Sequence, residues 1–264
     1  MTVLTNDGVL AVAERLGVQT LPLVLAVAPT QDSHADYAAA QQSAVADLTD
    51  AGVFDTYGDV TPEVSDAMYV LSQPDRELVA RVYTGGALPI RICLARRDSR
   101  HALAVRSDDE LDISTVWADD PGAALRRPLG AALGACAPAE VANFSAPTTD
   151  LARRLDAATT SAEYADAVYA LGVTGRDATE YAMAFESCHA YAEIVACAHI
   201  DGVTTRPPCA VAVYDTGRGR IVVAPGIAPD QQVWSTVTPG SDHRLAQAIS
   251  GLIELLPGGR WLPL

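Results

Sequence analysis

Two stretches of this chain repeat one another. Glu77-Leu78-Val79-Ala80 leads to Gly85-Gly86, and Glu193-Ile194-Val195-Ala196 leads to Asp201-Gly202. Further on, Ala102-Leu103-Ala104-Val105 is answered by Ile221-Val222-Val223-Ala224, and Ile113-Ser114-Thr115-Val116 by Trp234-Ser235-Thr236-Val237. The offset stays at about 120 residues throughout, and a period that long marks a duplicated folding unit rather than a solenoid. Two halves, about 1–145 and 146–264, are therefore expected within a single domain. A fused pseudo-dimer of this kind builds its function where the halves meet.

The pattern inside each half is the same: helices, a four-strand meander, then a helix. Val9, Val12 and Leu16 give a first helix over residues 7–16, capped by Asn6 or Asp7 and ended by Gly17. The apolar run 21–27 reads as a buried strand. Helices follow at 36–48, with Tyr37, Ala40, Ala44 and Leu48 as the inward stripe, and from Pro62 to Pro74, with Val64, Ala67, Met68 and Leu71 inward. Strands are expected at 77–83, 90–95, 101–106 and 112–117. Turns this short permit only antiparallel neighbours. A helix over 121–133 closes the first half, and Pro128 should bend or split it. After a join at 137–149, helices are expected at 150–158, 161–171 (capped by Ser161) and 177–187. A second strand set follows at 192–200, 209–215, 220–225 and 232–236. The last helix is capped by Ser241 and carries Leu245, Ala248, Ile249, Leu252 and Leu256 inward. The class is α+β. Pairing of one strand from each half across the pseudo-twofold gives one central, mostly antiparallel sheet flanked by two helical bundles.

Charge and composition exclude several kinds of chemistry. There are 33 acidic residues against 18 basic ones, a net charge of -15, and such a surface repels phosphate backbones. Every basic residue among the 18 is arginine. With no lysine there is no Walker A lysine, no Schiff base and no lysine general base. No apolar run is long enough to cross a bilayer, and no Sec-type signal opens the chain. Five unevenly spaced cysteines suit a reducing cytoplasm better than a disulfide framework.

Several clusters deserve a chemical reading. Cys188-His189, Cys197, His199 and Cys209 form the best metal or cysteine-hydrolase candidate, but they lack a Cys-x-x-Cys or His-x(3–5)-His spacing. Buried cysteine as a small hydrophobe is the commoner outcome. Ser241-Asp242-His243 holds triad residue types, yet contiguous side chains at a helix start diverge, whereas a triad converges from separate elements. Gly217-Arg218-Gly219 reads as a hairpin turn, and Asp108-Asp109-Glu110 as a solvated turn rather than a cation loop. No cofactor and no metal are assigned.

One ordered series of residues points further. Tyr191-Ala192-Glu193-Ile194-Val195-Ala196 is followed by Val213-Tyr214-Asp215-Thr216, then Gly219-Arg220-Ile221-Val222-Val223-Ala224-Pro225. Next come Val233-Trp234-Ser235-Thr236-Val237-Thr238-Pro239-Gly240 and Leu256-Pro257-x-Gly259-x-Trp261-x-Pro263. With Leu16-Gly17-Val18 near the start and Phe144-Ser145-x-Pro147-Thr148 at the join, the series resembles the EspG family. The similarity runs over essentially the whole chain and is strongest over 191–263.

The resemblance implies a cytosolic chaperone of an actinobacterial ESX, or type VII, secretion system. It would bind the apolar helical tip of a PE–PPE heterodimer or a similar helical-hairpin substrate, keep it soluble and deliver it for secretion. It also implies one mostly antiparallel sheet with pseudo-twofold symmetry and two flanking bundles. The family's loop between the second and third strands is often long and contacts the PPE tip; here residues 84–89 alone bridge those strands. The expected contact residues are Thr84, Gly85, Gly86 and Leu88 of that loop, Tyr164 and Tyr181 on the helix pair, and Tyr214, Trp234, Thr236 and Thr238 on exposed strand faces. No nucleic acid and no membrane insertion are expected, and a homodimer remains open. Two alternatives stand beside the chaperone: a metal-dependent or cysteine hydrolase using the Cys188–Cys209 region, and a small-molecule-binding module in the cleft between the halves.

Overall fold

The computed structural model describes residues 2–263. The chain runs through β1 (Thr2–Thr5), α1 (Asn6–Leu16), α2 (His34–Asp50) and α3 (Pro62–Ser72). The first meander follows as β2 (Arg76–Thr84), β3 (Ile90–Arg97), β4 (Arg100–Ser107) and β5 (Glu110–Val116), then α4 (Pro121–Leu133). Next come β6 (Phe144–Pro147), α5 (Thr148–Asp156), α6 (Ser161–Ala170) and α7 (Gly175–Glu186). The second meander is β7 (Cys188–Ile200), the short β8 (Val203–Thr205), β9 (Val211–Thr216), β10 (Gly219–Ile227) and β11 (Val233–Pro239), closed by α8 (Asp242–Glu254).

All these strands join one sheet in the order β1-β5-β4-β3-β2-β7-β9-β10-β11-β6, with β8 paired to β7 off that path. The two meanders meet through β2 and β7, which pair antiparallel from Arg76↔Ala198 to Thr84↔Ala190. Side chains alternate across a strand, so each central strand serves both faces. On the back face, Leu78, Ala80 and Val82 of β2 and Ala192, Ile194 and Ala196 of β7 pack under Leu125 and Leu129 of α4 and Leu245, Ile249 and Leu252 of α8. On the front face, α1, α2 and α3 cover Cys93, Ala95, Ala102, Ala104, Leu111 and Ile113. Helices α5, α6 and α7 cover Ile221, Val223 and Val237 on the same face at the other side. Each fully buried Leu, Ile or Val contributes about 1.5–3 kcal/mol. These three clusters therefore dominate the stability of the fold.

The architecture agrees with the expected α+β class, one sheet and two flanking bundles. The structure departs from expectation locally, each time for a traceable reason. Residues 21–27 do not form a strand. Leu23–Leu25 make one 3-10 turn, closed by Leu25 N–H to Pro22 O and Ala26 N–H to Leu23 O, with Ala26 at φ 49°. Val24 and Leu25 are still buried, while Arg91 donates to Val24 O and Arg106 to Leu25 O, so arginines replace a strand partner. A short apolar run cannot distinguish these outcomes by periodicity. The cap of α1 is Thr5, whose hydroxyl accepts from Gly8 N–H, rather than Asn6 or Asp7. The cap of α6 is Thr160, in a capping box with Glu163, rather than Ser161. Helix α4 continues through Pro128; the carbonyl of Ala124 that loses its partner belongs to a part-exposed residue. The join itself holds a strand, since β6 pairs with β11 from Phe144↔Val237 to Pro147↔Trp234.

On the C-terminal side, one buried ion pair organises the back face. Arg220 donates from Nε to Asp215 Oδ1 at 2.6 Å and from Nη2 to Asp215 Oδ2 at 2.7 Å. Its Nη2 also donates to Gly134 O at 3.1 Å, beyond the end of α4. The chain passes so close here that Gly219 and Gly240 are required: a Cβ on Gly219 would lie 2.7 Å from Ala137 O, and one on Gly240 2.8 Å from the Arg220 backbone. Breaking a buried pair strands the remaining charge, at a cost of about 3–5 kcal/mol. Asp215→Ala is expected to lower the urea unfolding free energy by about that amount, and a loss below 1 kcal/mol would show that water already serves Arg220.

Candidate functional site

The front face of the sheet is covered on both sides and open in the middle. Between the two bundles, Arg81 and Tyr83 of β2 and Tyr191, Glu193, Val195 and Cys197 of β7 share the front face, with Val79 packed against the α1–α3 cluster and Glu77 buried at one end. None of these β7 residues belongs to the three buried clusters. The strands pair so that Tyr83 opposes Tyr191, Arg81 opposes Glu193, and Val79 opposes Val195. Tyr83 and Tyr191 stack with ring centroids 4.5 Å apart, and Tyr191 continues to Tyr214 at 6.4 Å. Tyr214 then meets Phe185 of α7 edge-on at 5.7 Å. A row of rings thus runs from Tyr83 in the open centre into the C-terminal bundle, and Tyr191, second in the row, is 38% exposed. Tyrosine suits such a surface because its ring is apolar and its hydroxyl tolerates water.

Burial pushes the Tyr214 phenol up to about 12, and it raises Tyr191 as well, so both rings stay uncharged near neutral pH. Arg81 and Glu193 are exposed, and neither is spent on an ion pair within the described residues. The face therefore offers apolar area with one free charge of each sign beside it.

The 84–89 loop closes one end of this strip. Gly85 and Gly86 both take positive φ, 44° and 89°, and Leu88 is 70% exposed at the tip. Thr84 is half-buried at the end of β2 and accepts the Ala87 N–H through its carbonyl. At the other end, His199 ring nitrogens lie 2.9 Å from Glu77 Oε2 and 3.0 Å from Thr204 Oγ1. His199 and Thr204 are direct partners in the β7–β8 ladder, so this contact pins the short β8 hairpin to β2.

The residues expected from sequence fall into three places. Thr84, Gly85, Gly86, Leu88 and Tyr214 border the open strip. Tyr164 and Tyr181 belong to the interior of the C-terminal bundle: Tyr164 is half-buried against Phe185, and Tyr181 is fully buried with its hydroxyl donating to Ala142 O. As it stands, Tyr181 has no surface to offer a partner. Trp234, Thr236 and Thr238 lie on the back of the sheet, because Val237 between them packs into the front cluster. Thr238 is buried there and bonds Val222 O at 3.4 Å.

Tyr83, Arg81, Tyr191 and Glu193 line the open strip and are not among the residues expected from sequence. A signal was present: in strands central to a large sheet, a charged residue at an alternate position marks a stretch that nothing covers.

The hydrolase candidates do not converge. Cys188 and Cys197 lie on one strand about 30 Å apart, and no group of three His, Cys, Asp or Glu among the described residues is arranged to hold a metal. Burial raises all five thiols above the ordinary cysteine value, so none is an activated thiolate. Ser241 caps α8 through the Arg244 N–H, and Asp242 pairs with Arg126.

An α+β protein whose single sheet is flanked by two helical bundles and left open between them is the class that this geometry defines. Residues 5–251 match the model of the EspG family. The chain is 32% identical over 261 residues to ESX-1 secretion-associated protein EspG1 of Mycobacterium tuberculosis, covering 98% of this chain and 88% of that protein. It is also 32% identical over 262 residues to ESX-3 secretion-associated protein EspG3 of Mycolicibacterium smegmatis, covering 98% and 88%. The fold matches the solved structure of the Mycobacterium tuberculosis type VII secretion system chaperone EspG5 in complex with the PE25-PPE41 dimer, with a TM-score of 0.82, 18% identity and 98% coverage of both chains. The chain belongs to the EspG family.

Tyr181→Phe tests the interior assignment. Removal of its hydroxyl leaves Ala142 O without that donor, and urea unfolding should show a loss of about 1–3 kcal/mol, with the native circular dichroism spectrum retained.

Proposed function

We propose that this protein is a specific chaperone of an ESX (type VII) secretion system, acting in the cytoplasm and without enzymatic activity. It binds the apolar helical tip of a PE–PPE heterodimer or a similar helical-hairpin substrate, keeps that tip from aggregating and delivers it for secretion. The observation that carries the reading is the strip of Val79, Tyr83, Tyr191, Val195 and Tyr214 between the two bundles that cover the rest of the front face. Membership of a family of secretion-associated proteins supports it, as does the shared fold with a chaperone solved on a PE–PPE dimer. Among the described residues, no helix is long and apolar enough to cross a membrane.

The mechanism follows from the surface. A helical tip laid across β2 and β7 buries its apolar side chains on the stacked tyrosines. Leu88 and the 84–89 loop border one end, and Tyr214 carries the contact toward α7. Arg81 and Glu193 flank the apolar rings, so a tip bearing acidic and basic residues in the complementary order gains register and rate more than affinity. Interfaces of this type draw most of their energy from a few central aromatic residues.

We also propose that the two halves, about 1–145 and 146–264, descend from one duplicated unit within a single EspG-like domain. What supports this is the sheet order, which reads β2-β3-β4-β5-β1 outward on one side and β7-β9-β10-β11-β6 on the other. The repeat equates Val79 with Val195, and these two residues face each other across the central ladder, as a twofold axis there requires.

Co-expression with helical secretion substrates encoded nearby tests the function. A one-to-one complex on size exclusion is expected, with the substrate soluble only when this chain is present. Tyr83→Ala and Tyr191→Ala should each weaken the complex by about tenfold or more, while Trp234→Ala on the back face leaves it unchanged. Failure of every such substrate to co-purify would overturn the reading.

A further inference from the structure

The segment that follows α8 crosses the back of the sheet and settles on the N-terminal strands. Arg76 Nη2 donates to Pro257 O at 2.6 Å, and Arg96 Nη1 donates to Trp261 O. The Trp261 indole stacks on His101, ring centroids 6.1 Å apart at 17°, and Trp117 meets the same imidazole edge-on at 6.5 Å. Arg76, Arg96 and His101 stand side by side, since Arg76 pairs with Arg96 across β2 and β3, and Arg96 with His101 across β3 and β4. All three are more than nine-tenths buried. Among the described residues, both ring nitrogens of His101, Nε of Arg76 and Arg96, and Nε1 of Trp261 have no hydrogen-bond partner.

The C-terminal side shows what is missing. There the segment after α4 also covers Arg220, whose Nη2 donates to Gly134 O and whose backbone bonds Ala137 O and Ala139 N–H. Arg220, however, has the carboxylate of Asp215 beside it. The position that the repeat equates with Asp215 is Arg96, and the one it equates with Arg220 is His101. A carboxylate–guanidinium pair on one side thus corresponds to a guanidinium–imidazole pair on the other.

We propose that residues 257–261 form a proton-operated latch, which docks on neutral His101 and lifts when His101 gains a proton. Protonation would put a third positive charge into the row, beneath an indole that leaves neither N–H an acceptor. The charged groups around His101 are Arg96 and Arg76 in the row, Asp119 beyond β5, Asp75 and Asp98 near Arg96, and Arg260 on the segment itself. Asp75 is already committed, its Oδ2 lying 3.3 Å from Arg96 Nη2 and accepting the Asp98 N–H at 2.7 Å.

Burial, and after it the charge of Arg96, lowers the His101 value; Asp119 opposes them. A group lowered in the docked state stabilises docking fully above its ordinary value of about 6.5. That stability is lost as the pH falls toward the docked value, by up to about tenfold in the docking equilibrium per pH unit. The latch lies on the opposite face from the open strip and does not depend on the chaperone reading.

The chain has three tryptophans, so Trp117→Phe with Trp234→Phe leaves Trp261 as the sole fluorophore. Between about pH 8 and about pH 5, its emission is expected to shift red and its acrylamide quenching to rise, with a midpoint below about 6.5 and unchanged far-ultraviolet circular dichroism. His101→Leu, and His101→Gln as a second uncharged replacement, should hold the emission in its buried state over the whole range. Emission that stays buried to the acid limit would overturn the latch. So would a transition that survives both His101 variants, or one that coincides with loss of the dichroism signal.

Discussion

The ladder between β2 and β7 is the contact on which the rest of the molecule depends, because it is the one place where two separate meanders become one sheet. Its backbone bonds run from Arg76↔Ala198 to Thr84↔Ala190, and its back-face side chains lie in the apolar cluster that both meanders share, under α4 and α8. Every other strand is added outward from this pair. A central ladder has no edge to protect, so both strands can carry apolar residues on one face without inviting aggregation. That frees the other face for a different use.

The different use is visible in what the helical bundles leave uncovered. Bundle α1–α3 sits over β3, β4 and β5, and α5–α7 over β10 and β11. Over the front of β2 and β7 no α-helix lies, and only the 3-10 turn Leu23–Leu25 reaches β2; the residues there change character accordingly. Stacked tyrosines, two valines and one exposed charge of each sign replace the continuous aliphatic pattern of the back face. Exposed apolar area rimmed by polar groups fits a protein partner better than a small molecule, which needs enclosure. The neighbouring thiols, raised by burial, and His199, occupied by Glu77 and Thr204, give this surface a recognition character rather than a nucleophilic one.

The back face shows how the two sides are held to one another beyond the central ladder. Each closing helix sends its following segment across to the opposite side: 134–139 onto Arg220, and 257–261 onto Arg76, Arg96 and His101. The two crossings differ in charge. Asp215 compensates Arg220 with two short bonds, whereas the row under Trp261 relies on carbonyl oxygens and one shared carboxylate. Carbonyls solvate a guanidinium through partial charge only, and the difference leaves the N-terminal crossing the more sensitive of the two to added protons.

Much of the fold was legible in the residues. Helical stripes such as Val64-Ala67-Met68-Leu71, strand runs ended by Gly or Asp turns, and the repeated Glu-x-Val-Ala words predicted the elements, their antiparallel order and the single sheet. Local periodicity determines such features because it acts between residues near in sequence. The run at 21–27 escaped, since its partner is a set of arginine side chains far along the chain. The loop 84–89 and Tyr214 were found beside the open strip, but Tyr181, Trp234 and Thr238 were not; a tyrosine reads the same in sequence whether its hydroxyl meets water or Ala142 O. By itself, then, the sequence determined which segments become helix or strand and which family they assemble into. Only the tertiary structure decided which strand face the bundles leave open and how each buried arginine is compensated, because both depend on coverage by elements distant in the chain.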